Sequence, residues 1–235
     1  MANVDYETKM NSKPYKFFDA VYRLLVINVL TVVLSLTIIG MFPAFVACVA
    51  TVKQGNIANV FKQYFKNLLH YLKKSFFIGL ILVILYFVSC YSIYFYAKTE
   101  IDSQNEEQFL LLFLNMGFLV SFISFIIINL LSAHLPLLII TFEKLTIGEI
   151  FKTSFYITFR YFLTTLILFV LQLLIIVIFL MCIFVNWGIL AVWLLFGISL
   201  PAFLQVKFTQ VIYYKFSQID FEKIMHQVDE EEEEE

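Results

Sequence analysis

Charged residues are scarce in this sequence. Only 14% of its 235 residues are Asp, Glu, Lys or Arg, whereas 61% are hydrophobic and the mean hydropathy is +0.88. A soluble domain is about one-quarter charged, so this chain has too little polar surface to coat a particle in water. We therefore predict a polytopic membrane protein that is surrounded by the lipid bilayer and does not bind nucleic acid.

Sequence signatures of catalysis and metal binding are also lacking. The chain has no HExxH pair, no phosphate-binding glycine loop and no paired carboxylates on one helix face. Its cysteines all lie inside apolar runs, with no CxxC spacing and no histidine at ligand distance: Cys48, Cys90 and Cys182. We therefore expect no catalytic residue, no metal site and no cofactor, and we predict that the protein is not an enzyme.

The placement of the few charges predicts the topology. Residues 53–74 carry lysines and no acid, and the loop at 144–160 is again basic, whereas residues 98–107 carry four acids against one lysine. Basic loops stay on the cytoplasmic side of a membrane. With both termini inside, every Lys and Arg except Lys98 is cytoplasmic. We therefore predict a multi-pass protein of the bacterial cytoplasmic membrane with its N-terminus and C-terminus in the cytoplasm.

The apolar runs predict an all-α bundle of about six transmembrane segments in three helical hairpins. The predicted spans are 22–40, 42–54, 75–97, 109–141, 161–184 and 188–213. They form one transmembrane domain (1–216), followed by a cytoplasmic tail (217–235) with an acidic end. The second run covers only about half of a ~30 Å hydrocarbon core. It is either a short return helix that reaches the cytoplasm, which we favour, or part of one kinked span over 21–52.

Amphipathic elbow helices are predicted to join the hairpins on the cytoplasmic side. Apolar residues recur at three- and four-residue steps in 56–72 and again in 146–160, and residues 56–62 align with 146–152. Thr146 and Glu149 have the spacing of a capping box. We expect both elbows to lie flat at the interface, with a set of lysines near anionic lipid head groups: Lys62, Lys66, Lys73, Lys74 and Lys152.

Prolines are predicted to bend the returning helix of each hairpin, at Pro43, Pro136 and Pro201. Residues 40–43 should break the chain, so that Pro43 falls in the first turn of a new helix. On the first span, Asn28, Thr31 and Ser35 share a face and should look into the bundle. Gly117 and Ser121 have the small-xxx-small spacing that permits close helix contact.

Three polar residues within spans are candidates for a functional site: Asn28, Asn129 and His134. They either line a central cavity or form hydrogen bonds between helices. His134 lies two residues before Pro136, so it either contacts a proton or substrate or binds a carbonyl that the proline leaves free. No charged residue lies at the centre of a span, which argues against an ion-coupled transporter.

Several punctuating segments resemble the YesL-like family of bacterial integral membrane proteins, whose biochemical function is unassigned. They are Asn28-Val-Leu-Thr31, Gly40-Met-Phe-Pro43-Ala44 and Val60-Phe61-Lys62-Gln-Tyr64-Phe65-Lys66-Asn67. The stretch from Leu137 to Ser154 is also similar to the membrane domains attached to some glycerophosphodiester phosphodiesterases. The first resemblance implies a six-helix inner-membrane protein that accompanies carbohydrate uptake systems, and it transfers no catalytic residue.

Two functional hypotheses follow from these observations. The first is a non-enzymatic accessory or scaffold protein, whose partner is a membrane complex such as a carbohydrate ABC transporter or a second copy of the chain. The alternative is a permease or lipid-handling protein with a central cavity between the bent helices.

Overall fold

The protein is all-helical over the residues that a computed structural model describes, which are 13–55, 59–102, 108–184, 193 and 196–218. Within them no strand occurs. The helices are α1 (Lys13–Ser35), α2 (Ile38–Gln54), α3 (Val60–Asp102), α4 (Gln108–Ser132), α5 (Leu135–Thr141), α6 (Ile147–Arg160), α7 (Phe162–Phe184) and α8 (Ser199–Gln218). The predicted outer turn at 185–188, the acidic end of the tail and His226 lie outside the described residues.

Within the part of the chain that the structure describes, three stretches are long and apolar enough to cross a membrane: Tyr15–Ser35, Val60–Thr99 and Leu112–Thr141. A fourth arises if Ile147–Arg160 and Phe162–Leu174, which meet at an angle of 104°, count as one broken span. The predicted helical class and the presence of transmembrane-type helices are therefore confirmed.

The short helix α2 forms the centre of the bundle. Its middle residues are fully buried, and most are small: Ala44, Val46, Ala47, Cys48, Val49 and Ala50. Small side chains allow neighbouring backbones to approach closely, and α2 packs against α1, α3, α5 and α8. The apolar run that covers only about half of a hydrocarbon core is thus the one against which four other helices pack.

The predicted break at 40–43 is wrong by several residues. The chain turns at Leu36 and Thr37, and α2 begins at Ile38, so Pro43 lies inside the helix. The Thr37 hydroxyl donates to the Leu34 carbonyl over 3.1 Å, and Thr37 itself has an extended backbone (φ −91°, ψ 124°). This local hydrogen bond closes the end of α1 before Gly40 is reached.

The first predicted elbow is not a separate helix. Its described part continues without interruption into the following span, because α3 runs for 43 residues from Val60 to Asp102. Residues 60–78 contain no proline or glycine, so nothing in them stops helix propagation. At 1.5 Å per residue the helix is about 65 Å long, roughly twice the ~30 Å thickness of a hydrocarbon core.

The second predicted elbow is a separate helix with the predicted cap. The Thr146 hydroxyl accepts from the Glu149 amide over 3.4 Å, and the Glu149 carboxylate accepts from the Thr146 amide over 2.5 Å. Both contacts satisfy donors that a helix start leaves open, so the capping box is confirmed. α6 then ends at Arg160, before the 104° bend into α7.

The other two prolines lie at helix starts. The helix from α4 breaks at Ala133 and His134, and Pro136 occupies the first turn of α5. Pro201 is the third residue of α8. A first turn does not use these N–H groups, so proline costs little there.

Long-range polar contacts gather several helix ends at one end of the molecule. The Arg23 guanidinium in α1 donates to the Gly55 carbonyl that follows α2, over 2.8 Å. The Lys53 ammonium at the end of α2 donates to the Thr141 hydroxyl at the end of α5, also over 2.8 Å. The early part of α1 and the ends of α2 and α5 are therefore neighbours. We call this region the basic end.

Candidate functional site

Asn28 joins the first helix to the start of the last one. Its side chain is fully buried, and its Oδ1 accepts hydrogen bonds from the Ile198 and Ser199 amides, each over 2.8 Å. Its Nδ2 donates to the Trp193 carbonyl over 3.4 Å. Free amides at a helix start need an acceptor, and here the acceptor comes from another helix. Asn28 and Thr31 both face the interior, as predicted, and Ser35 is half-buried.

His134 lies at the break between α4 and α5 and is fully buried. Its Nε2 is 2.8 Å from the hydroxyl oxygen of Thr165 on α7. Two carbonyls beside it accept side-chain hydrogen bonds: Ala133 from the amide of Gln205 on α8, and Leu131 from the hydroxyl of Ser154 on α6, over 2.8 Å. The break is therefore surrounded by polar groups from three other helices.

Asn129 contacts α3. Its Oδ1 accepts from the Tyr86 hydroxyl over 3.2 Å, and its Nδ2 donates to the Phe125 carbonyl within its own helix over 2.8 Å. The Tyr86 hydroxyl oxygen is also 3.1 Å from that of Ser132. The three candidate residues therefore have inter-helix partners on different elements: Asn28 at the start of α8, Asn129 on α3 and His134 on α7.

A further polar network, which the sequence reasoning missed, joins α1, α2 and α3. The Tyr64 hydroxyl donates to the Ala44 carbonyl over 3.1 Å and lies 3.2 Å from the Thr31 hydroxyl. The Asn67 amide nitrogen donates to the Thr51 hydroxyl over 3.0 Å and to Gln54 Oε1 over 3.1 Å. All of these contacts except the one to Thr31 are made to the central helix α2.

Asn67 lies within the first predicted elbow, and its side chain is only 4% exposed, so it belongs to the buried side of α3. The signal that could have found it is a heptad pattern along α3, whose buried members are Val60, Tyr64, Asn67, Tyr71, Ser75, Ile78 and Leu82. Such spacing is typical of the helix face that packs against neighbouring helices. Thr51 and Gln54 supply polar partners on α2, so an asparagine is accommodated on this packed face.

At the basic end, Glu143 ties the loop after α5 to α3. The Tyr71 hydroxyl donates to Glu143 Oε1 over 2.7 Å, and His70 Nε2 lies 3.4 Å from the same oxygen. The Lys74 ammonium donates to the Glu143 carbonyl over 2.9 Å. The hydrogen bond from Tyr71 holds the pKa of the Glu143 carboxyl below its usual value, and His70 and Lys74 act in the same direction.

Replacing Tyr71 with phenylalanine is expected to destabilise the protein at pH 7 by about 1 kcal/mol, since the carboxylate that loses its donor is partly exposed. A lowered pKa in the folded state stabilises the fold above the ordinary glutamate value of 4.5. That stabilisation is lost as the pH falls through the lowered value. Unfolding measured at pH 7 and in acid should therefore show a smaller effect in acid. An equal loss at both pH values would contradict this account, and Tyr91→Phe on exposed α3 surface is the control.

The lysines predicted to meet lipid head groups are mostly at the surface. Lys62, Lys66, Lys73 and Lys152 are exposed, whereas Lys74 is half-buried against Glu143. Among the described residues, no group of three His, Cys, Asp or Glu side chains could hold a metal ion. Compared with known proteins, the chain matches no family model, no curated protein and no solved structure.

Proposed function

We propose that this protein is a non-enzymatic accessory or scaffold subunit of another membrane complex. The observation that carries the proposal is that buried polar side chains form hydrogen bonds between helices. Asn28, Asn67 and Gln205 each bind a group on another helix. Hydrogen bonds between helices fix their relative positions where no water competes. Such a bundle suits a protein that presents a constant surface to a partner.

The surface available to such a partner is broad and apolar. On α3 alone, exposed large side chains extend along much of its length, as at Phe77, Ile84, Phe87, Tyr91 and Tyr94. A membrane subunit meets its partners through side chains of this kind, packed against another helix in place of lipid. The resemblance to the YesL-like family, as proposed from the sequence, suggests a carbohydrate ABC transporter as the partner complex.

The proposed topology has six spans in three hairpins, with both termini in the cytoplasm of a bacterium. The contacts at the basic end support it, because Arg23, Lys53 and Lys74 all bind groups there. In a variant that lacks the natural cysteines, single cysteines at Lys66 and Lys152 should react with an impermeant thiol reagent only from the cytoplasmic face. A cysteine at Lys98 should react only from the opposite face. Reaction of Lys66→Cys from outside would overturn the topology.

Co-purification tests the proposed function. The tagged chain is isolated from native membranes in mild detergent after brief crosslinking, and the retained proteins are identified by mass spectrometry. We expect subunits of one membrane transporter to be enriched over a tagged polytopic control of similar length. Recovery of the chain alone, together with solute uptake by proteoliposomes that contain only this chain, would favour the permease alternative and contradict the scaffold function.

A further inference from the structure

A cavity of about 300 Å³ opens between α1 and the start of α3 at the basic end. Its polar lining comes from Asp19, Arg23 and Asn59, and its apolar lining includes Tyr22, Val26 and Phe61. On α1 the charged residues end at Arg23, and an apolar run begins at Leu24. The cavity therefore lies where the helix passes from charged to apolar sequence, which is the level of the lipid head groups.

Two opposite charges are fixed side by side in the cavity lining. The Arg23 guanidinium forms an ion pair with the Asp19 carboxylate one helical turn earlier. It also donates to the Gly55 carbonyl over 2.8 Å, which anchors the arginine to the end of α2. A guanidinium binds phosphate oxygens well because its N–H groups form a planar fork. A carboxylate accepts hydrogen bonds from an ammonium group.

Two aromatic residues of the apolar lining face outward. Tyr22 is 63% exposed and Phe61 is 57% exposed, on α1 and α3 respectively. Exposed aromatic rings at this level are typical of the membrane interface, where they pack against the glycerol and upper acyl region of lipids. The cavity thus combines a charged region of both signs with an apolar exit toward the bilayer.

We propose that this cavity binds one phospholipid whose head group carries a phosphate and a primary ammonium. The phosphate lies against the Arg23 guanidinium, and the ammonium donates to the Asp19 carboxylate. The glycerol and acyl chains leave between Tyr22 and Phe61. The lining carries one positive and one negative charge, so a zwitterion pairs with both. An anionic head group would leave Asp19 repelled, and a quaternary ammonium has no N–H to donate. The proposal does not depend on a transporter partner.

Native mass spectrometry of the full chain, released from detergent, tests the proposal. The chain is offered equal amounts of phosphatidylethanolamine, phosphatidylglycerol and phosphatidylcholine with identical acyl chains. We expect phosphatidylethanolamine to be retained about tenfold more than either competitor, a preference that corresponds to one strong polar contact. Asp19→Asn should abolish this preference, and Asp19→Glu should restore most of it. Lys66→Gln, which removes a charge from exposed α3 surface outside the cavity, should leave it unchanged.

The ratio of retained lipids is measured within one folded population, so a change in total stability does not alter it. Equal retention of the three lipids by the unaltered chain would overturn the proposal, as would an unchanged preference in Asp19→Asn. A further arm adds excess inorganic phosphate. Displacement of the lipid by phosphate that itself stays bound would assign the cavity to a free anion, and would also overturn the proposal. Retention of the lipid under excess phosphate supports it.

Discussion

Replacing Asn28 with leucine is expected to detach the start of α8 from α1 and to lower the stability of the bundle. The Ile198 and Ser199 amides would lose the oxygen that both now share. Each buried donor left without an acceptor costs about 1–3 kcal/mol. Water cannot replace the acceptor inside a bilayer, so this is the largest effect that we expect from a single polar substitution. Unfolding by sodium dodecyl sulfate in mixed micelles measures it.

Asn115→Leu is the matched control for this experiment. Asn115 lies on α4 and its side chain is exposed, so the same chemical change removes no buried contact. We expect the control to unfold at the denaturant concentration of the unaltered protein, and Asn28→Leu at a clearly lower one. Coincident unfolding curves for the two variants would show that the bond from α1 does not hold α8 in place.

Adding a single methyl group at Gly79 is expected to push α2 and α3 apart. A Cβ atom at this position would lie 2.9 Å from the Cβ of Phe42 and 3.3 Å from two of its ring carbons. Phe42 cannot avoid the clash by rotating, because its Cβ is attached directly to the α2 backbone. Overpacking of this kind costs about 1–3 kcal/mol. Gly79→Ala should therefore lower the thermal midpoint of the purified protein.

Gly148→Ala provides the control of opposite sign. Gly148 is in the first turn of α6, and a Cβ there would meet nothing within 4 Å. Alanine is favoured over glycine in a helix by up to about 1 kcal/mol, so this variant should be as stable as the natural sequence or more so. If Gly79→Ala also proved neutral, the close approach of α2 and α3 would not be a feature of the protein in detergent.

Local signals were sufficient to predict the second elbow. The capping box needs only Thr146 and Glu149 at the correct spacing, and the contact that it predicts lies within one helical turn. The small-xxx-small spacing of Gly117 and Ser121 likewise predicted a close helix contact, although not its partner. A Cβ at Gly117 would overlap the ring of Tyr96 on α3, so the predicted close packing at this position is confirmed. In both cases the feature can be predicted because the residues that produce it belong to a short sequence motif.

The central position of α2 could not be predicted in that way. The sequence prediction compared the length of the run from Ala44 to Ala50 with the thickness of a membrane. The position of this run in the bundle depends instead on which helices pack around it. The small side chains were visible, but small residues permit close packing without specifying a neighbour. The partners of Asn28 and Gln205 were hidden for the same reason, since they are backbone groups distant in the chain.

The continuity of α3 was not predicted, because the polar and apolar halves of its sequence each have the features of a separate element. Lysines in the first half suggested a surface helix, and the apolar second half suggested a span. Charge composition reports the surroundings of a segment, whereas helix continuity depends on whether a residue interrupts the backbone hydrogen bonds. The described residues of α3 contain glycine only at Gly79, and a single glycine does not end a helix that is packed on its neighbours.

The unbroken course of α3 ties displacements at its two ends together. Tyr71 and Lys74 hold the loop at Glu143, while Tyr91 and Tyr94 lie several turns further along the same rod. The middle of this helix is packed on its neighbours at Ile78, which is fully buried, and no break in the helix separates the two ends. A displacement of the Glu143 loop would therefore reach Tyr91 and Tyr94 through the backbone hydrogen bonds of a single helix.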